Sequence, residues 1–221
     1  MERMLVSAIA VTVLFLGYGR ADQTMSIHPE KAGESGQRTV RAANKEEIAV
    51  IKEHKSGKWS PDLTEEEKTT LFAIVDDTLA WCVNGGKGKF SFDKYVITDK
   101  MKVSTATFVT LKIRGMLRGC IGSLQPVESM YESVHDNAIS AALRDPRFRP
   151  VGPQELPKLE IHISLLSPIS PIASIDDFNL GEHGIIIEKG MYRAVYLPEV
   201  AIEQQWTKEQ TLASLSEKAG L

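Results

Sequence analysis

Thr107, Val109, Leu111 and Ile113 alternate with Phe108, Thr110 and Lys112, and Arg114-Gly115 then turns the chain into a second extended run, 116–121. Period-two alternation closed by a glycine-containing turn reads as an antiparallel hairpin. A hairpin with one apolar face must bury that face against something, so it constrains every neighbouring element. Upstream, Thr64-Glu65-Glu66-Glu67 has the pattern of a capping box, and Leu71, Ile74, Val75, Leu79 and Cys82 follow at three- and four-residue steps. An amphipathic helix is therefore expected over 64–83, stopped by Asn84-Gly85-Gly86. Downstream, Pro126 opens an expected helix over 127–143, ended by Asp145-Pro146, with an irregular proline-rich loop over 144–157.

The remaining body continues the mixture. Leu159, Ile161, Ile163 and Leu165 alternate as a half-buried strand, and Gly184–Lys189, a turn at Gly190 and Met191–Leu197 read as a second hairpin. Thr207-Lys208-Glu209-Gln210 is a second capping box, opening a helix that ends at Gly220. Hairpins mixed with helices, without regular strand–helix alternation, give an α+β (mixed α/β) fold class with antiparallel hairpins packed against helices. No internal repeat is visible.

The N-terminal part reads differently. Residues 4–19 carry no charge between Arg3 and Arg20, and the apolar heart runs from Leu5 to Leu16. That is shorter than the ~18–20 residues of a membrane-spanning helix, and fits the apolar region of a secretory signal. Gly19 and Ala21 place small residues before a cut at Asp22. Residues 1–21 are therefore read as a signal peptide and the product as exported or periplasmic. An uncleaved anchor is one alternative, and a start at Met25 with a cytoplasmic product is another. Residues 22–60 read as a linker or loose arm, with a short amphipathic turn around Glu46–Ile51, and 61–221 as the folded domain.

Composition narrows the function classes. With 26 Lys+Arg against 29 Asp+Glu, the net charge of -3 carries no general nucleic-acid signal. Two cysteines build neither a disulfide scaffold nor a four-cysteine zinc site. The five histidines, His28, His54, His135, His162 and His183, contain no metal-spaced pair, and no metal or cofactor is expected. Gly85-Gly86-Lys87-Gly88-Lys89 lacks the P-loop pattern and reads as a flexible turn.

The unusual local sequence is Leu117-Arg118-Gly119-Cys120-Ile121-Gly122. Glycines on both sides of a thiol let backbone approach closely, and consecutive amides in a turn can cradle an anion. An adjacent guanidinium would favour the thiolate. Arg118 and Cys120 are thus candidate catalytic residues, and the Gly119 and Gly122 amides a candidate oxyanion or phosphate cradle. The opposing reading is a buried cysteine with packing glycines. The second feature, Arg144-Asp145-Pro146-Arg147-Phe148-Arg149, holds three arginines beside an aromatic. Arg144 and Arg147 are candidate ligand-binding residues, because guanidinium forks match carboxylate and phosphate, while Asp145 can simply pair with Arg147 or Arg149. Cations after a helix end also serve structure alone. A dyad of Cys120 with His135 or His162 stays open at this point.

These blocks carry a resemblance. The run TFVTLKIRGMLRGCIG, the helix ending in Arg144-Asp145-Pro146-Arg147-Phe148, the strand ending Ser164-Leu165-Leu166-Ser167-Pro168 and the segment GIIIEKGMYRAVYLPEV closely resemble the AMMECR family over roughly 64–221. The resemblance implies a mixed fold of two subdomains. It also implies kinship with component A of the AmmeMemoRadiSam system, where Memo-like (extradiol-dioxygenase-like) and radical SAM proteins are the partners. The family has no settled activity. Its signature block falls on Leu117–Gly122, which makes Cys120 and Arg118 the first site residues it implies, with Asp145, Arg147 and Phe148 next. It further implies a closing strand after the Glu217–Leu221 segment, which this sequence does not contain. An exported product would be separated from a radical SAM partner, whose cluster needs a reducing cytoplasm.

Three functions are therefore expected as competitors. The first is a domain binding a small anionic ligand at the Arg118–Gly122 turn, with Cys120 as a thiol nucleophile. The second is a non-enzymatic adaptor using the Arg144–Arg149 loop to bind a protein or nucleic acid. The third is a redox pair of Cys82 and Cys120.

Overall fold

The computed structural model describes residues 5–16 and 59–221. Its elements, in chain order, are strand β1 (Leu5–Leu16), helix α1 (Glu65–Val83), β2 (Ala106–Ile113), β3 (Met116–Gly122), α2 (Met130–Leu143), β4 (Glu160–Leu166), the two-residue β5 (Ser170–Pro171), β6 (His183–Lys189), β7 (Tyr192–Tyr196), α3 (Pro198–Glu203) and α4 (Lys208–Ala219). The strands follow the order β3-β2-β4-β1-β6-β7, with β5 pairing β1, and every pairing is antiparallel. The α+β expectation holds.

Local chemistry explains most boundaries. Both capping boxes are formed: Glu67 N–H donates to Thr64 Oγ1 and Thr64 N–H to the Glu67 carboxylate, and Thr207 and Gln210 do the same. Each satisfies two helix-end N–H groups. Arg114 and Gly115 both take positive φ, 53° and 74°, which the tight β2–β3 turn requires. Gly220 ends α4 in the left-handed conformation. The helix expected from residue 127 begins at Met130 instead, because Ser129 still bridges Ser104 as extended chain.

The largest difference lies in the N-terminal segment. Leu5–Leu16, expected as the heart of an export signal, is a strand within the sheet. Its first half, residues 5–10, pairs with β6, and its second half, 11–16, pairs with β4. Twelve uncharged residues including valine, isoleucine and threonine satisfy the composition of either element, and periodicity does not separate them. Cleavage before Asp22 would remove this strand. The expected turn at Glu46–Ile51 lies outside the described residues, as do His28 and His54.

Two cores result. On one face of β2 and β4, Val109, Leu111, Ile161, Ile163 and Leu165 meet the apolar faces of α1 (Leu71, Ile74, Val75, Leu79, Cys82) and α2 (Val134, Ala138, Ala141). A smaller core joins Phe178, Ile185, Ile187 and Ala194 to Leu215 and Ala219 of α4, with Val6 of β1 against it. On the opposite face of β2 and β4, Ala106, Leu166 and Ile186 form a third apolar patch with Phe108, Val195 and Leu197. The short helix α3 follows directly from Leu197, so it lies on that second face. There, Glu203 of α3 reaches Lys112 of β2 at 3.3 Å. None of the described helices is long and apolar enough to cross a membrane.

Candidate functional site

Directly paired residues of an antiparallel sheet stand on the same face. Thr110 of β2 pairs with Cys120 of β3 on one side and with His162 of β4 on the other. The three form a polar row on the face turned away from α1 and α2. Thr110 Oγ1 donates to Cys120 Sγ at 3.2 Å. Lys112 and Glu160, the next pair along, extend the row, and α3 brings in Glu199 and Glu203.

The electrostatics of the row follow from burial. Burial raises the Cys120 thiol above its ordinary value; the Thr110 hydrogen bond and the Arg147 charge oppose this, while Glu199 and Asp145 add to it. Cys120 is therefore a neutral thiol at rest. Burial, assisted by Lys112, lowers His162, so its imidazole is neutral at pH 7. Burial also raises Glu199. One oxygen of Glu199, Oε2, is buried without a hydrogen-bond partner.

The residues expected to cradle an anion are committed to the fold. Leu111 pairs with Gly119 and Lys112 with Leu117, so Arg118 is an extra residue in β3, a bulge that breaks the alternation toward Cys120. Its guanidinium grips the Glu155 carboxylate at 2.7 and 3.0 Å and the Pro150 carbonyl at 3.3 Å. Arg118 is not among the charges acting on the thiol; Arg147 is. Gly119 faces α2, where a Cβ would stand 2.2 Å from the Ala141 carbonyl oxygen. A Cβ on Gly122 would stand 2.3 Å from the Phe108 side chain and from the Thr107 carbonyl oxygen. Both glycines serve close packing.

Asp145 and Arg147 complete the sheet edge. Cys120 N–H donates to Asp145 Oδ2 at 2.9 Å, and Arg147 donates to the Cys120 carbonyl at 3.0 Å. The two side chains are themselves ion-paired at 2.7 Å. Together they give the exposed edge of β3 the donor and acceptor that a neighbouring strand would supply. These contacts hold the Asp145 carboxyl far below the usual carboxylate range, with the Arg147 hydrogen bond as the largest cause. Phe148 lies against both guanidinium groups, 5.9 Å from Arg118 and 5.6 Å from Arg147. Arg144 is exposed at the end of α2.

The other candidates separate cleanly. His135 belongs to α2, on the far side of the sheet from Cys120. Its ring packs against Trp81, Phe90 and Phe92. Thr78 Oγ1 gives its proton to the Ile74 carbonyl, so His135 Nδ1, 2.7 Å away, must be the donor to it. Cys82 is buried in the α1 core and both thiols are free, so the redox pair is not formed. Among the described residues no cluster of three or more His, Cys, Asp or Glu could hold a metal ion. An open depression of about 440 Å³ lies elsewhere, lined by Phe178, Asn179, Leu180, Glu182 and Lys208.

With this geometry in place, comparison with known proteins identifies the lineage. Residues 77–221 match the AMMECR1 family. The chain belongs to that family. It is 36% identical over 170 residues to a protein of Methanothermobacter thermautotrophicus, spanning 74% of this chain and 87% of the relative. It is 40% identical over 167 residues to a protein of Methanosarcina acetivorans, spanning 72% and 83%. The crystal structure of uncharacterized protein PH0010 from Pyrococcus horikoshii superposes with a TM-score of 0.66 at 28% identity, covering 73% of this chain and 83% of that one. AMMECR1 membership and the mixed fold are thereby shown, and the family's function is uncharacterized.

Glu199 is the site residue that sequence reasoning missed. Its only local mark is Pro198, which occupies the first turn of α3 behind Leu197. Proline at that position is a helix-start signal. Nothing local indicates that the helix crosses the β2–β4 face.

Proposed function

We propose that this AMMECR1-family protein binds a small molecule on the polar row beneath α3 and that Cys120 is its reacting thiol. The observation that carries this reading is the Thr110–Cys120 hydrogen bond on a half-buried face that also holds a neutral imidazole. A neutral thiol attacks slowly, so it must lose its proton as it reacts. The sulfur adds to an electrophilic carbon, whose π pair moves onto the attached oxygen, and the S–H bond breaks; the Thr110 hydroxyl, which donates to Sγ at rest, turns to accept the thiol proton and passes its own toward His162, the next residue of the row.

Alkylation by iodoacetamide tests this. In the folded protein Cys120 is expected to be modified by pH 8 while buried Cys82 is spared, and Thr110→Val and His162→Ala slow the reaction. A folded protein whose Cys120 is inert below pH 9 overturns the reading.

An adaptor role draws on a separate observation. Arg144 and Arg149 are exposed, and the Arg147 side chain is 53% exposed. The Memo-like and radical SAM proteins suggested by the resemblance are the partners to present to this loop. Arg144→Ala with Arg149→Ala should then abolish capture without changing thermal stability; retained capture counts against the role.

A further inference from the structure

The charges around the polar row indicate what kind of molecule it can hold. Among the described residues, the cations near it are already engaged. Arg118 is paired with Glu155, Arg147 with Asp145, and Lys112 with Glu203. His162 is kept neutral by burial. The carboxyls are in excess: Glu160 on β4, Glu199 and Glu203 on α3, with only Lys112 to offset them. Glu160 accepts the Gly115 N–H at 3.2 Å, and Lys112 reaches Glu203 at 3.3 Å. Among the described residues, Glu199 Oε2 alone is buried with no donor. A buried carboxyl oxygen without a partner loses its hydration with nothing in return, so native structures rarely keep one without a reason. A ligand N–H placed against it would remove that cost.

We infer that the row takes a ligand bearing a cationic or neutral N–H donor, such as an amine or amidine, with Glu199 Oε2 as its acceptor. This rests on the proposed site and reverses the anionic ligand expected from the Arg118–Gly122 sequence. Among the described residues, an anion would meet three carboxyls and no unpaired cation. An amine held at Glu199 shares the row with the Cys120 sulfur, since Glu199 is near enough for its charge to raise the thiol. The row is half-buried, and α3 supplies the acceptor from above.

Three alkylating probes of similar size and different charge read this out on the full-length protein. They are 2-bromoethylamine (cationic), iodoacetamide (neutral) and iodoacetate (anionic). Each rate at Cys120, followed by mass spectrometry, is divided by that reagent's rate with the urea-unfolded protein. The cationic probe is expected to exceed the anionic one about tenfold at low salt, the effect of roughly 1.4 kcal/mol of local electrostatic preference. Glu199→Gln should reduce the ratio to about twofold, since it keeps the shape and removes the charge. Equal normalised rates, or a faster anionic probe, overturn the inference while leaving Cys120 a reacting thiol.

Thermal unfolding with ethylamine or with propionate gives a readout independent of the thiol. Ethylamine should raise Tm in the parent protein and not in Glu199→Gln. If Cys120 resists all three probes and ethylamine still acts through Glu199, the reacting-thiol reading falls and the ligand class stands. Inert Cys120 with no ethylamine effect overturns both.

Discussion

The two halves of the sheet solve the same problem by different means. The β2–β3–β4 half is covered by two long helices whose apolar stripes supply most of a large core. The β6–β7 half has one twelve-residue helix and, among the described residues, a core of six buried side chains. In the first half, side-chain packing carries the stability. The second depends more on termini, with a capping box and a left-handed glycine framing α4. The candidate site draws on both: the first half supplies the row, and the second supplies α3 and Glu199. Strand β1, paired to β4 at one end and β6 at the other, joins them. The contrast suggests that the row is rigid and that its cover is the more easily perturbed part.

The comparison can be broken most forcefully in the first core. Ile163→Ala empties a fully buried position and should cost about 4 kcal/mol in chemical denaturation, unfolding the whole molecule. Leu215→Ala is equally buried in the smaller core and should cost about 3 kcal/mol. Hydrogen exchange should rise first in β6, β7 and α4 in that variant. A single cooperative transition with uniform exchange in both variants would show that the two cores are one unit.

Asp145→Ala sharpens the account of the sheet edge. It leaves the Cys120 N–H unpaired and frees Arg147, and should cost about 3 kcal/mol in urea titration. The pH dependence has a definite sign. The folded carboxyl is depressed, so its contribution is fully present above about pH 4 and is lost as pH falls through the folded value. His135 and His162 are also depressed, which makes stability begin to fall below about pH 6.5. Denaturant midpoints between pH 7 and about pH 2 should therefore decline in two stages, and Asp145→Ala should flatten the lower one, below about pH 4.

Smaller effects test the ends of the elements. Thr207→Ala removes the α4 cap and should cost about 1 kcal/mol, seen as a lower Tm with unchanged Cys120 alkylation. Lys68→Ala deletes an ion pair whose glutamate is almost fully exposed, Lys68–Glu65 at 2.7 Å, and should shift stability by less than about 0.5 kcal/mol.

Much of this architecture is legible in local pattern. The alternation at 107–113, the Arg114-Gly115 turn, the two capping boxes and the face of Leu71, Ile74, Val75, Leu79 and Cys82 all depend on neighbours within four residues. The site is less legible. Cys120 stands out by its glycines, yet the glycines are explained by Ala141 and Phe108, which no short window contains. Arg118 reads as the thiol's partner until one bulge redirects it to Glu155. His162 and Cys120 share a row only because Thr110 pairs with both.

The sequence by itself determined the two hairpins, α1, α4 and the end of α2, because periodicity and capping are short-range properties of the chain. It also marked Cys120 and the Arg144–Arg149 loop as chemically unusual. Only the tertiary structure decided that Leu5–Leu16 is a strand between β4 and β6, that Asp145 and Arg147 finish an edge, and that Glu199 is left with an unpaired oxygen. Strand order and ion-pair choice join residues tens of positions apart, and an apolar run or a guanidinium carries no local record of which partner it will meet.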